Sequence, residues 1–229
     1  QPPTPVILIS IDTLRADHLS CYRSGRRPTV HIDALAKNGT LFSEVSTPFP
    51  LTLPAHAALL TSTYPFANGV EDNGVPLGAG ATTLAGVLKA AGYRTGAFAG
   101  SFVLDRRFGL DKGFDVYDGP VDVPTKTGIT VVERKRPGAQ VVEAAKNWVA
   151  RNGDGPFFLF LHLYDLHLPY SPRGEAGYTA QLAHVDNLLG DFFTFLERRG
   201  LLQKSLIVFT SDHGEGLGDH GESTHGYFV

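Results

Sequence analysis

Two short stretches of the chain concentrate side chains that can bind a metal or move a proton. In "HLYDLH" His162 and His167 bracket Asp165, and in "SDHGEGLGDHGESTHG" Asp212, His213, His220 and His225 are set among glycines. Imidazole and carboxylate suit metal ligation and general acid work, and glycine lets backbone approach a ligand closely. Two more positions stand out: Asp12, which closes "VILISID", and Thr52 in "FPLTLPAH", just ahead of a run of alanine and leucine. Thr52 has two readings. Its hydroxyl can cap the helix that follows, with Pro54 tolerated in the first turn. A helix N-terminus also favours an anion, so a hydroxyl held there can attack a phosphate or sulfate centre.

The elements that must position these residues alternate along the chain. Short apolar runs predict strands at 6–11, 93–99, 157–163 and 206–209, and helical patterns fall at 31–37, 55–60, 83–91, 140–150 and 178–199. Strands of continuous apolar character separated by helices imply an α/β fold, a mostly parallel sheet with helices on both faces. Residues 118–137, rich in proline, glycine and charge, read as an exposed loop. Asp12, Asp165 and Asp212 with His213 then all fall at the C-terminal ends of strands, where open α/β sheets bind ligands. Oxygen ligands there suit a hard divalent cation such as magnesium or calcium, and added imidazole shifts the preference toward zinc or manganese. His18, His31 and His184 lie in helical or turn contexts and read as surface or packing residues.

Composition narrows the function. The 229 residues, 42% hydrophobic and 19% charged, suffice for one sizeable domain spanning 1–229. A formal charge of −3 and the lack of a long basic run argue against a nucleic-acid surface, and no apolar run is long enough for a transmembrane segment. The single cysteine, Cys21, excludes an internal disulfide and a thiolate metal cluster. Residues 216–221 match a dinucleotide-binding glycine pattern, but Glu215, Asp219 and Glu222 would repel a pyrophosphate and no apolar helix follows.

The motifs resemble the alkaline phosphatase superfamily and, within it, the sulfatase-like hydrolases. The similarity runs through "VILISIDTLRADHLSCY", "PTVHIDALAKNGTLF", "TLPAHAALLTSTYP", "LHLYDLHLPY" and "IVFTSDHGEGLGDHGE". It implies one or two divalent cations at the C-terminal end of a parallel sheet and hydrolysis of phosphate or sulfate esters through a covalent intermediate. It also implies a small-molecule, glycan or lipid ester as substrate and a periplasmic or extracellular location. By the resemblance Asp12, Thr52, Asp212 and His213 ligate a metal, and Thr52 is the nucleophile. The family continues into further strands and a small C-terminal subdomain, which the resemblance implies this chain lacks.

Departures from the family pattern refine that expectation. Sulfatases carry cysteine or serine in a Cys/Ser-x-Pro-x-Arg signature that is oxidised to formylglycine, whereas this chain has Thr52-Leu-Pro-Ala-His56. Thr13 stands where a second acidic residue follows the first. The site is similar to the threonine-nucleophile branch, whose Thr-x-x-Asn-His is matched except at Ala55. In that branch an asparagine, matched by Asn73, binds a non-bridging oxygen, and a late Thr-His-Gly, matched by Thr224 to Gly226, contributes to a second metal. The Asp-x-x-x-His pair of that second site is not reproduced, since Pro169 lies four residues after Asp165. The resemblance therefore makes Asp165 and His225 candidates for a second site, and His167 a substrate contact or leaving-group donor. A phosphate ester is expected over a sulfate ester. A sulfatase using unmodified threonine and a non-catalytic, anion- or partner-binding member are the alternatives.

Overall fold

A computed structural model describes residues 3–23, 29–120 and 135–227. Strands β1 (Val6–Ile11), β2 (Arg94–Ala99), β3 (Val116–Asp118), β4 (Phe157–Leu163) and β5 (Leu206–Ser211) form one sheet in the order β3-β2-β4-β1-β5. Every pairing is parallel. Helices α1 (Val30–Lys37), α2 (Thr52–Thr61), α3 (Pro65–Asn68), α4 (Leu84–Ala90), α5 (Gly138–Asn152) and α6 (Glu175–Arg198) complete the fold.

The sheet is covered on both faces, as continuous apolar strands require. Ile7, Ile9 and Ile11 of β1 and Phe157, Leu159 and Leu161 of β4 join residues of α1, α5 and α6 in one core. The alternate residues Leu8, Phe158 and Phe160 join α2 and α4 in the other. Gly96 of β2 lets α5 come close: a Cβ there would lie 2.7 Å from the Trp148 ring. Among the described strands β3 and β5 are the edges, and Leu206 and Val208 of β5 are exposed.

The expected strands and helices are present, with ends moved by a few residues. The strand expected at 206–209 continues to Ser211, because its ladder with β1 runs to Ile11↔Ser211. Thr83 lies outside α4 as its N-cap, with its Oγ1 accepting from the Gly86 N–H at 3.1 Å. The three-residue β3 was not expected, being too short to show a period, and it takes in Asp118 from the stretch read as loop. Residues 121–134 of that stretch lie outside the described residues. His18 and His31 pack as expected, His18 edge-on to Tyr178 with ring centroids 4.9 Å apart and His31 against Gly190.

One buried side chain ties the long helix to the turn after β1. Tyr178 of α6, fully buried, donates its hydroxyl to the Thr13 carbonyl at 2.7 Å and accepts from the Arg15 N–H at 2.8 Å. That turn holds Thr13 at φ 56°, a left-handed conformation costly for a β-branched residue, so an external clamp is required. Tyr178→Phe leaves the buried Thr13 carbonyl and the partly buried Arg15 N–H without this partner. It should lower stability by about 1–3 kcal/mol, read from urea unfolding.

Candidate active site

The topology brings β1, β4 and β5 side by side, so the residues that follow them meet at one end of the sheet. Asp12 follows β1, Asp212 and His213 follow β5, and α2 presents Thr52 from its first turn. Asp12, Thr52, Asp212 and His213 are all buried. Ligand atoms of Asp12, Asp212 and His213 lie within 4.8 Å of one another. The Thr52 hydroxyl joins them, donating to Asp12 Oδ2 at 3.1 Å and lying 3.3 Å from His213 Nε2. Thr13 and His213 both direct their backbone N–H groups at Asp212 Oδ1, at 3.2 and 2.9 Å.

The helix-capping reading of Thr52 is corrected. Thr52 is the first helical residue, Leu51 holds the N-cap position, and no side chain of the cap residue bonds the helix. The Thr52 hydroxyl is turned inward to Asp12 and His213 instead. Asn73 serves the helix start, accepting from the Leu53 N–H through Oδ1 at 2.9 Å. With Oδ1 so committed, the Asn73 amide NH2 is the end that can donate to a ligand.

The two carboxylates are shifted in opposite directions. For Asp12 burial pushes the pKa up, but the hydrogen bond from His162 and the positive potential of His167 and His213 outweigh it and hold the group well below the usual range. Burial and the neighbouring Asp12 charge push Asp212 up to about 7. Burial also opposes charge on His213, yet Asp212 and Asp12 raise its pKa overall. Asp12 Oδ1 and Asp212 Oδ2 are buried without a hydrogen-bond partner. Orphaned carboxylate oxygens beside an imidazole are a donor set suited to a divalent cation, so these residues fit the metal that the sequence implied.

Behind the ligands lies a layer built on His56, matched in the threonine motif without a role, and His162, singled out beside Asp165. His56 of α2, fully buried, donates Nδ1–H to the Thr52 carbonyl at 2.7 Å and accepts at Nε2 from Ser10 Oγ at 2.9 Å, which ties the helix carrying Thr52 to β1. Burial lowers its pKa to about 3, so the ring is neutral near pH 7. His56, His162 and Asp212 also bring ligand atoms within 4.8 Å, but both nitrogens of His56 are already engaged. His162 was singled out in the sequence as a candidate ligand or proton carrier beside Asp165, whereas Ser10 was legible only as a polar residue in an otherwise apolar strand.

The remaining candidates divide. The His225 ring lies 4.4 Å from that of His213 and 5.1 Å from that of His167, so these three imidazoles cluster at the site. His167 donates Nδ1–H to the Leu168 carbonyl at 2.6 Å, and burial lowers its pKa. Glu215, not singled out in the sequence, is fully buried with Oε1 3.4 Å from His225 Nδ1. Asp165 falls outside both ligand groups found among the described residues: its Oδ1 accepts from Gly138 N–H at 3.1 Å at the start of α5, while its Oδ2 is buried without a hydrogen-bond partner. His184 Nε2, on α6, is 3.9 Å from the same oxygen.

The glycine-rich loop is folded tightly to bring His225 in. A Cβ on Gly216 would lie 2.4 Å from the Glu222 carbonyl and 2.5 Å from that of Thr224. Arg15 clasps this loop from the other side. Its Nη1 donates to the Glu215 carbonyl at 2.9 Å and to Asp219 Oδ2 at 2.7 Å, while its Nε bonds Asp17.

A parallel α/β sheet with carboxylates, imidazoles and a buried hydroxyl gathered at its C-terminal end is the arrangement of the alkaline phosphatase superfamily. The chain belongs to the sulfatase family, whose model matches residues 4–227. It is 26% identical to an ulvan-active sulfatase of Formosa agariphila, over 95% of this chain and 52% of that protein. Human arylsulfatase A is 28% identical, with 93% and 52% covered. The chain thus spans about half the length of the curated relatives it matches. In fold it is similar to the phosphonate monoester hydrolase of Agrobacterium radiobacter, with a TM-score of 0.81 and 22% identity over 99% of this chain and 66% of that one. Among the described residues no helix is long and apolar enough to cross a membrane.

The raised pKa values of Asp212 and His213 set a sign for cation binding. Protons held there in the metal-free protein must leave before the lone pairs can ligate. Affinity for Mn2+ should therefore strengthen as pH rises from 6 to 8, with net proton release on binding. Calorimetric titration in buffers of different ionisation enthalpy measures both quantities, and a pH-independent affinity would contradict the assignment.

Proposed function

We propose that this domain hydrolyses esters of a tetrahedral oxyanion, phosphate or sulfate, through a covalent intermediate on Thr52. The observation that carries this reading is the buried Thr52 hydroxyl set against Asp12 Oδ2 and His213 Nε2. Asp12, Thr52, Asp212 and His213 would hold a divalent cation. When bound, that ion supplies Lewis acidity that favours the alkoxide form of the hydroxyl and offsets charge on the ester oxygens.

The residues themselves position the reactants. The α2 N-terminus and the amide of Asn73 face charge that develops on the transferring oxygens. Thr52 Oγ1 forms a bond to phosphorus or sulfur as the ester oxygen leaves with the hydroxyl's proton, and water then releases the oxyanion and restores the threonine. His167 and His225 line the departing side. His167, with Nδ1–H spent on Leu168, presents Nε2 to a leaving group or second cation.

The named relatives act mostly on sulfate esters, and they lend no support to a preference for phosphate. The phosphate reading rests on Thr52 alone, because threonine is not a formylglycine precursor. A glycan ester is a substrate class in keeping with the relatives' names, and a periplasmic or extracellular setting accords with it.

Turnover of nitrophenyl phosphate, bis-nitrophenyl phosphate and nitrophenyl sulfate, compared side by side, tests the reading. Hydrolysis should vanish in excess chelator and be fastest with a phosphate ester. Thr52→Ala should stay folded and lose several orders of magnitude in kcat, while Thr52→Ser keeps substantial activity. An alanine variant that turns over at the parent rate would remove Thr52 from the chemistry.

A further inference from the structure

We propose that His162 is a positioning residue that fixes the Asp12 carboxylate so that one chosen oxygen faces the cation. The proposal rests on the metal reading above. His162 lies in β4 directly across from Ser10 of β1, in a strand otherwise made of phenylalanine and leucine, and its ring is 0% exposed. An imidazole buried so completely needs a polar partner to offset its desolvation. That partner is Asp12: His162 Nε2 lies 3.3 Å from Asp12 Oδ2.

The geometry sorts the two oxygens of Asp12. Oδ2 receives both His162 Nε2–H and the Thr52 hydroxyl, while Oδ1 is buried with no partner. Oδ1 is thereby the oxygen offered to an ion. A carboxylate accepts only, so the proton sits on Nε2 of His162, and Nδ1, which has no hydrogen-bond partner, is the bare nitrogen. The ring cannot readily turn over to exchange them. His56 meets it edge-on at 4.8 Å and 89°, and Phe160 and Tyr164 flank it at 6.4 and 6.2 Å.

Hydrogen bonds to ligating carboxylates typically govern metal affinity by about 10- to 100-fold. Mn2+ titration of the parent, His162→Ala and His162→Gln, with the melting temperature of each metal-free protein measured alongside, tests the assignment. The alanine variant should keep the parent stoichiometry and bind roughly 10- to 100-fold more weakly. Glutamine, whose amide can donate from a similar reach, should recover most of the loss. Imidazole 15N shifts of the metal-free parent should show His162 protonated at Nε2, a readout that needs neither metal nor a foldable variant. Unchanged affinity in the alanine variant, a proton found on Nδ1, or loss of one whole equivalent of Mn2+, which would make His162 a ligand, overturns the proposal. A parent that binds no Mn2+ removes the metal reading and this proposal together, whereas binding without ester turnover defeats only the proposed chemistry.

Discussion

Two carboxylates buried side by side, Asp12 and Asp212, impose the constraint to which the surrounding structure responds. At the 4.8 Å separation that bounds their ligand atoms, two full charges in a protein of effective dielectric near 20 repel by roughly 3–4 kcal/mol. The protein offsets this by asymmetry. Asp12 is held ionised by donors on Oδ2, and Asp212, supplied with two backbone N–H groups on one oxygen, retains a proton toward neutrality. A divalent cation between them would relieve the same repulsion, which is why the arrangement reads as a metal centre.

Holding that pair demands an unusual local backbone. Thr13 adopts a left-handed conformation that aims its N–H at Asp212, and Tyr178 and Arg15 brace the turn from α6 and from the glycine-rich loop. On the other side Ser10 and His56 tie α2 to β1, which holds the Thr52 hydroxyl beside the Asp12 carboxylate. His56 stands where the formylglycine signature has arginine, and here it faces inward to brace the helix.

The sequence made the strands legible because each was an unbroken apolar run, and it made Asp12, Asp212 and His213 legible because each broke such a run at its end. The same signal marked Asp165, which lies outside both ligand groups found among the described residues. Its position after β4 is as expected, but its side chain turns to the free N–H at the start of α5, and chain direction alone does not reveal side-chain direction. Asn73 was found by resemblance, whereas its bond to Leu53 depends on a loop path that no local pattern encodes. His162 was singled out beside Asp165, but nothing in the pattern names Asp12 as its partner, and His56 was matched in the threonine motif without a role, since a lone imidazole in a helix is more often packing than function. Glu215 was read only as a charge hostile to a pyrophosphate, and its complete burial beside His225 is what distinguishes it.

The strand order has a consequence in time. β1, made first, lies between β4 and β5, so neither of its neighbours exists until most of the chain has emerged. The Thr13 to Asp212 bond joins residues 199 apart, and Arg15 reaches farther still, to Asp219. Contacts of such sequence separation form slowly and together, after the loops between them have closed. Asp12 meets Thr52 and His162 through α2 and β4, but its pairing with Asp212 and His213 waits until β5 has docked beside β1.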